Sequence, residues 1–326
     1  MRDNNLPTVA LSLGDPAGIG PEIALKAVQT RDVRDRCHPI IVGDPKVLKE
    51  HARLSGIPWE VNIHNNIADV GPPNGLIDIL ARDQFSNHSC AIGTINAANG
   101  RSAIDSASTA ISAALAGDVD AVVACPHTQT SIAKAGIKFD GYPSFVAKET
   151  GLTPDDVFLM LCVDHTRIAH CTLHLSLRNA LDLITFDRVE KVINAAHDTL
   201  IKTGISHPKI LVSGVNPHAG EKGLFGEEEI NIIAPAIESA KSKGIHVEGP
   251  VGADLMFHEK SFDAFIVMTH DQGHIPAKLI AQHRTAALCI GSPILFSSVA
   301  HGSALDIAGK GLGDPAAVIE AIKRVT

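Results

Sequence analysis

Short apolar runs alternate along this chain with longer stretches in which apolar residues recur every three or four positions. The short runs predict strands at Thr8–Leu13, Pro39–Val42, Ala121–Cys125, Val157–Cys162, Ile168–Leu173, Ile210–Val215, Ala264–Met268 and Ala286–Ile290. The longer stretches predict helices at Pro21–Gln29, Pro45–Leu54, Ala103–Ala116, Phe186–Thr203, Glu227–Lys243 and Pro315–Val325. Strands that alternate with helices predict an α/β fold in which most strands pair in parallel.

Length and composition narrow the class of protein. The chain has 326 residues, which exceeds one ordinary hydrophobic core and suits two domains. It shows no internal repeat, low-complexity tract or evident linker, so the sequence does not locate the domain boundaries. We expect both domains to be discontinuous in sequence. The net charge of −8 and the 4% aromatic content argue against binding nucleic acid.

The same composition bears on the cellular location. No apolar run approaches the roughly 20 residues that cross a bilayer, and the N-terminal apolar segment predicts a strand rather than a signal peptide. The six cysteines are scattered and form no CxxC pair. We therefore expect reduced thiols and a cytoplasmic protein.

A glycine- and proline-rich segment follows the first predicted strand. Residues Gly14–Glu22 read Gly-Asp-Pro-Ala-Gly-Ile-Gly-Pro-Glu. Functional residues of α/β sheets gather at the carboxyl ends of strands, so this segment is a candidate site loop. The alternative is an ordinary turn between a strand and a helix.

Three histidines follow three different predicted strands. His174 follows Ile168–Leu173, His218 follows Ile210–Val215, and His270 follows Ala264–Met268. Imidazole is a good ligand for first-row divalent metals, and catalytic sites often combine three protein ligands with an open position. This placement predicts one shared ion. Because the chain has 17 histidines, the alternative that these three are ordinary polar residues stays open.

Three charged residues near these histidines are candidates for acid–base chemistry. Asp271 can orient an imidazole or accept a proton. Lys278 can move the proton of an alcohol or pair with a substrate carboxylate. Asp254 lies in another turn-rich segment. Each of them, taken singly, can also be an ordinary loop charge.

The sequence has neither a GxGxxG motif after a strand nor a GxxxxGK[ST] motif. A different candidate for a cofactor is the segment His301–Gly311, whose small residues let a flat ring approach the backbone. The alternative is a glycine-rich surface loop.

At these positions the chain resembles the 4-hydroxythreonine-4-phosphate dehydrogenase family. The resemblance lies in the segments GDPAGIGPEIALKA, NPHAGEKGLFGEEE, GPVGAD, THDQGHIPAK and HGSALDIAGKG, which span nearly the whole chain. It implies two α/β/α domains with an active-site cleft between them, as in isocitrate and isopropylmalate dehydrogenases, and a homodimer with the site near the interface. It also implies metal ligation by His174, His218 and His270, and active-site roles for Asp254, Asp271 and Lys278.

The segment HGSALDIAGKG also resembles the adenosine-binding loop of the isocitrate and isopropylmalate dehydrogenases. This resemblance implies that the loop borders the adenosine end of NAD, through His301, Gly302, Ser303, Ala304 and Asp306. The carboxylate of Asp306 would repel a 2′-phosphate, which favours NAD over NADP.

Several positions depart from the pattern of that family. Gly141–Ser144 reads Gly-Tyr-Pro-Ser where the family usually has Gly-His-Thr-Glu, and Gln129, Ala287 and Phe296 replace polar residues that contact the substrate. A phosphate group would lose several donors there, and Tyr142, Pro143, Gln129, Ala287 and Phe296 would instead form a more apolar wall that suits a flat hydrocarbon ring. The combination is more similar to the branch that contains the terephthalate cis-dihydrodiol dehydrogenases. Lys278 and Arg284 then become candidate partners for a substrate carboxylate.

The resemblance therefore implies an NAD-linked dehydrogenase that uses a divalent metal (Zn, Mg, Mn or Fe). It would oxidise and decarboxylate a carboxylated cis-dihydrodiol to a catechol. The first alternative is a dehydrogenase of 4-hydroxythreonine 4-phosphate or a related phosphorylated hydroxy acid. The others are a metal-dependent lyase or hydrolase without NAD, and a module that only binds a small molecule.

Overall fold

The expected alternation of strands and helices is confirmed in the computed structural model, which describes residues 6–85, 90–280 and 285–326. Its strands are β1 Thr8–Ser12, β2 His38–Gly43, β3 Val61–His64, β4 Ile77–Ala81, β5 Ala121–Ala124, β6 Phe158–Val163, β7 Thr166–His170, β8 Lys209–Ser213, β9 His246–Val251, β10 Ala264–Val267, β11 Ala286–Ile290 and β12 Leu295–Val299. Its α-helices are α1 Gly20–Gln29, α2 Arg31–Arg34, α3 Pro45–Ser55, α4 Ala97–Leu115, α5 Gln129–Lys134, α6 Tyr142–Glu149, α7 Leu177–Leu183, α8 Phe186–Lys202, α9 Ala234–Ser242, α10 His270–Ile280 and α11 Ala316–Lys323. Within these described ranges, no helix is long and apolar enough to span a membrane.

The chain divides into two compact units, here called unit 1 and unit 2. Unit 1 consists of Met1–Thr150 and Pro293–Thr326, and unit 2 consists of Gly151–Ser292. Unit 1 is thus built from two separate stretches of sequence. Its strand order is β3-β4-β2-β1-β5-β12, and all neighbouring strands pair in parallel. The side chains of β1 and β5 are buried throughout, as expected for strands covered on both faces.

Unit 2 has the strand order β11-β6-β7-β10-β8-β9. The strands β7, β10, β8 and β9 pair in parallel, whereas β6 runs antiparallel to both of its neighbours, β11 and β7. The core around these strands includes Ile168, Leu211, Phe265 and Val267. Pairing is therefore mostly parallel, as predicted, with β6 as the exception.

Some elements are not predicted by the apolar pattern. The strands β3 and β9 lie at the ends of the two strand orders and are only partly buried, so they carry no continuous apolar run. The strand β4 contains a buried aspartate, Asp78, and β12 contains two buried serines. The helix α10 contains Gly273 and Pro276, both unfavourable inside helices. Burial in these elements depends on neighbours far away in sequence.

The buried carboxylate of Glu22 ties α1 to the segment that precedes α11. Glu22 Oε1 accepts hydrogen bonds from Lys26 Nζ at 2.6 Å and from the Gly313 backbone N–H at 2.7 Å. Lys26 Nζ also donates to the carbonyl oxygens of Gly311 and Gly313, at 2.9 and 2.8 Å. Burial raises the pKa of the Glu22 carboxyl, but hydrogen bonds from Lys26 and Gly313 outweigh it and hold the pKa below its ordinary value.

We expect Glu22→Gln to lower the free energy of unfolding by about 1–3 kcal/mol at pH 7, because the buried Gly313 N–H and the partly buried Lys26 ammonium lose a charged acceptor. A lowered folded-state pKa means that the carboxylate stabilises the protein above the ordinary Glu pKa and loses this effect as the pH falls through the folded-state pKa. The difference in the urea midpoint between Glu22→Gln and the wild type should therefore shrink in acid. Glu50→Gln is the control, because Glu50 is exposed and bonded to Arg53; its midpoint should stay unchanged. Equal midpoints for Glu22→Gln and the wild type at pH 7 would contradict the prediction.

Candidate active site

Three neighbouring strands of unit 2 end at one edge of its sheet. Because β7, β10 and β8 are adjacent and parallel, the turns that follow them lie side by side. His174 follows β7, His270 is the first residue of α10 after β10, and His218 lies in the turn after β8. The three predicted metal ligands thus occupy neighbouring strand ends, as the sequence indicated.

Hydrogen bonds connect these turns to one another. Gln272 Oε1 accepts from the backbone N–H groups of Met268 and Thr269, at 2.9 and 3.1 Å, just before His270. Gln272 Nε2 donates to the carbonyl oxygen of Gly214 at 3.1 Å, at the end of β8. Thr172 Oγ1, after β7, donates to the carbonyl oxygen of Met268 at 2.8 Å. Polar side chains therefore join the turns that precede all three histidines.

His174 and His270 lie close together. Their ring centroids are 5.7 Å apart, and both side chains reach solvent. His270 Nδ1 donates to Asp271 Oδ1 at 2.7 Å, which fixes the tautomer and leaves Nε2 as the nitrogen for a ligand. A carboxylate bonded to the far nitrogen is the arrangement that metal-binding histidines usually have. Asp271 is otherwise exposed, so it can also act as a base.

The helix α10 places a second histidine, His274, against the first. The rings of His270 and His274 stack with centroids 3.8 Å apart, and His274 also contacts His170, at 4.8 Å. Burial lowers the pKa of His170 to about 3 and that of His274 to about 4. His170, His274, His270 and His174 therefore form a row of imidazoles that runs from the core to the surface, and its two inner rings are neutral at neutral pH.

The sequence analysis does not predict this row of imidazoles. The spacing of His270 and His274 could have indicated it, because residues four positions apart share a helix face. The helix itself was not predicted. Lys278 lies four residues further on the same face, exposed, and about 12 Å from His270 along the helix axis.

His218 stands apart from this row. Its ring faces Phe225 at a centroid distance of 6.3 Å, and its side chain is exposed. Among residues 6–85, 90–280 and 285–326, no three His, Cys, Asp or Glu side chains are arranged to hold a metal ion. Asp254 is exposed after β9, the parallel neighbour of β8. The single chain brings two of the predicted ligands together, and shared ligation by all three stays a prediction.

In unit 1 the two glycine-rich candidate loops pack against each other. The backbone N–H of Ile19 donates to the Ser303 carbonyl oxygen at 2.9 Å, and Thr128 Oγ1 donates to Ser303 Oγ at 3.0 Å. The Ser303 side chain is buried, so it supports the loop from within, whereas His301, Gly302 and Asp306 are exposed. Ala304 adopts a positive φ of 42°. The segment His301–Gly311 therefore presents an exposed surface on a fixed base.

The positions that depart from the phosphate-binding pattern include a buried aromatic cluster in unit 1. The Tyr142 ring contacts His127 and Phe296, each at a centroid distance of 5.0 Å, and His127 contacts Phe139 at 4.7 Å. Phe296 is fully buried and Tyr142 is 8% exposed. Burial lowers the pKa of His127 to about 4, so this histidine is neutral at neutral pH.

The other positions that depart from the family pattern lie outside this aromatic cluster. Gln129 is exposed at the start of α5, and Ala287 is buried in β11 of unit 2. Arg284 lies outside the described residues. We expected Tyr142, Pro143, Gln129, Ala287 and Phe296 to form an apolar wall facing the ligand. The burial of Phe296 and Ala287 instead places both in the layer behind any such surface.

Comparison with known proteins gives the family. The family pattern of the pyridoxal phosphate biosynthetic protein PdxA matches residues 35–325. A 1,2-dihydroxy-3,5-cyclohexadiene-1,4-dicarboxylate dehydrogenase from a Comamonas species is 40% identical over 316 residues, which cover 96% of this chain and 95% of that protein.

Solved structures agree with this assignment. The terephthalate 1,2-cis-dihydrodiol dehydrogenase from Burkholderia xenovorans LB400 is 41% identical with a TM-score of 0.76, and the match covers 99% of this chain and 98% of that one. The 4-hydroxythreonine-4-phosphate dehydrogenase from Burkholderia phymatum has a TM-score of 0.87 at 32% identity, over 98% and 97% of the two chains. The chain therefore belongs to the PdxA family, and it is a dehydrogenase.

Proposed function

We propose that this protein is a metal-dependent, NAD-linked dehydrogenase that oxidises and decarboxylates a carboxylated cis-dihydrodiol of the terephthalate dihydrodiol type. The observation that carries the proposal is the Tyr142–Phe296 contact, because two aromatic side chains pack on each other at positions where the family has polar residues that contact the substrate. The 40% identity to the Comamonas enzyme, whose name states a dihydroxycyclohexadiene dicarboxylate, supports the same substrate class. The match to a 4-hydroxythreonine-4-phosphate dehydrogenase keeps a phosphorylated hydroxy acid as the second candidate.

The metal site is proposed at His174, His218 and His270. The contact of Asp271 with His270 Nδ1 supports this, because it prepares Nε2 for a ligand. Since His218 stands apart in a single chain, we propose that the third imidazole is supplied when two copies associate. Exposed apolar side chains flank the histidines and support such an interface, namely Leu175, Leu177, Ile275 and Leu279, which are 47, 65, 57 and 81% exposed.

The chemistry follows from the side chains around this edge. A bound divalent ion would lower the pKa of the substrate hydroxyl, and NAD would accept the hydride. Asp271, next to His270, or Lys278, two turns along α10, takes the hydroxyl proton. Lys278 is also exposed and can pair with a substrate carboxylate. Oxidation gives a ketone β to a carboxylate, so the product loses CO₂ and becomes aromatic as a catechol.

The metal ligands are tested by replacing His174, His218 and His270 singly with Ala. Each change should weaken the affinity for Zn²⁺ or Mn²⁺ by more than about 100-fold. Loss of a residue that only supports a metal ligand costs about 10–100-fold, so loss of a ligand should cost more. Calorimetry measures the affinity, and a metal-loaded structure of the assembly should show metal–nitrogen distances of about 2.0–2.2 Å. His197→Ala is the control, because His197 contacts Asp198 on the helix α8, outside the site. Unchanged binding by His218→Ala would exclude the shared site.

The cofactor preference is tested at Asp306. The wild type should have a higher kcat/KM with NAD than with NADP, because the exposed carboxylate repels a 2′-phosphate. Asp306→Asn should reduce this preference by about tenfold, equivalent to ~1.4 kcal/mol. Asp35→Asn, which removes an exposed charge paired with Arg31, is the matched control and should leave the ratio unchanged. Equal or better turnover of the wild type with NADP would contradict the prediction.

The substrate class is tested by steady-state kinetics. Terephthalate dihydrodiol should give a kcat/KM at least about 100-fold above that of 4-hydroxythreonine 4-phosphate, because each missing phosphate donor costs about 1–3 kcal/mol. One CO₂ should be released for each NADH formed. A phosphate ester that is turned over as well as the dihydrodiol would instead support the second candidate.

A further inference from the structure

The turn that carries His218 has an unusual backbone. Five successive residues, from His218 to Lys222, have positive φ angles of 53, 51, 76, 42 and 59°. Only Gly220 among them is a glycine, and a left-handed conformation costs other residues roughly 1–2 kcal/mol each. Such a segment persists only where the surrounding structure holds it in place.

A buried carboxylate lies directly against this segment. Glu229, 3% exposed, is the first residue of a π-helical turn, Glu229–Ile233. Its Oε1 accepts hydrogen bonds from the backbone N–H groups of Val215 and Asn216, at 2.7 and 2.8 Å. Its Oε2 accepts from Asn216 Nδ2 at 2.9 Å. One side chain thus binds two of the four residues that link β8 to the left-handed turn.

The backbone leaves space for this carboxylate on two sides. A Cβ atom at Gly214 would lie 2.8 Å from Glu229 Oε1, and one at Gly220 would lie 2.7 Å from Glu229 Oε2. Gly214 precedes the turn and Gly220 lies inside it. The carboxylate therefore fits between the strand end and the turn, and the glycines make this contact possible.

The same strand end is connected to the neighbouring histidine. The Gly214 carbonyl oxygen accepts from Gln272, which also binds the backbone N–H groups just before His270. A shift of Gly214 would therefore be transmitted to the start of α10. Glu229 consequently has contacts that bear on the placement of both His218 and His270.

We infer that Glu229 is a positioning residue of the metal site. Its carboxylate holds Val215 and Asn216 and thereby fixes the left-handed turn that presents His218. Without it, the two backbone donors lose their acceptor, Asn216 Nδ2 keeps only its contact with Glu228, and the turn relaxes towards right-handed conformations. The inference rests on the proposed function in one respect, namely that His218 binds the metal.

The test compares Glu229→Gln and Glu229→Leu in the full-length protein. Gln keeps an amide oxygen for the two backbone donors but sets its NH₂ group against Asn216 Nδ2, whereas Leu removes every acceptor. The control is Glu228→Gln, because the exposed Glu228 side chain accepts from Asn216 Nδ2 at 2.6 Å, whereas the backbone N–H groups of Val215 and Asn216 donate to Glu229. If the Leu variant does not fold, the Gln variant carries the comparison.

The comparison uses three measurements. Hydrogen exchange should quicken in residues 214–226 of both Glu229 variants, without a change in unit 1. Calorimetric affinity for Zn²⁺ should fall by about 10–100-fold for Leu and by less for Gln. The KM for NAD should stay within about twofold of the wild type, because the proposed cofactor loop belongs to unit 1. Glu228→Gln should match the wild type in all three measurements.

The outcomes separate this inference from the proposed function. Unchanged hydrogen exchange in both Glu229 variants, or unchanged Zn²⁺ affinity while the wild type binds the ion, would overturn the positioning role. A wild type that binds no divalent metal would instead defeat the proposed function and the metal part of the inference. Hydrogen exchange would then still decide whether Glu229 holds the turn.

Discussion

The candidate site depends on hydrogen bonds that join the turns leaving three parallel strands. Parallel pairing brings the carboxyl ends of β7, β10 and β8 to one edge, but it leaves the directions of the following turns undetermined. Thr172, Gln272 and Glu229 supply the missing restraints through contacts with backbone N–H and C=O groups. Because these polar groups would otherwise be buried without partners, breaking one contact costs more than the bond alone is worth. The histidine-bearing turns are therefore tied together as one set.

Burial then divides the histidines by role. His170 and His274 are held neutral by their surroundings, whereas His174, His218 and His270 reach solvent. A neutral ring stacked on His270 adds no positive charge where a cation would bind. The contact of His270 with Asp271 works in the same direction, since the carboxylate favours the Nδ1–H tautomer. Both features suit metal ligation.

In unit 1 the important contacts are between loops and between aromatic side chains. Its two glycine-rich loops are joined through Ser303, and the buried Glu22–Lys26 pair anchors the segment that follows the second loop. Tyr142 and Phe296 pack together although 154 positions separate them in the sequence. That contact brings two of the positions that depart from the family pattern into one buried aromatic cluster.

Much of this organisation follows from local sequence. The fully buried strands are predictable because burial on both faces demands continuous apolar residues, and the histidines after them could be placed at strand ends for the same reason. The motifs GDPAGIGPE, NPHAGEKG and HGSALDIAGKG mark their loops through glycine and proline, which restrict or free the backbone locally.

Tertiary structure decided the rest. The sequence does not predict the edge strands β3 and β9, because a half-exposed strand needs no apolar run. It also does not predict α10, because Gly273 and Pro276 disfavour a helix that packing nevertheless stabilises. The stacking of His274 on His270 depended on that helix. Glu229 lies 13 residues after Asn216, and only the folded turn shows why an acid is buried there. Contacts between distant residues set these features, and no local pattern of apolar and polar positions encodes them.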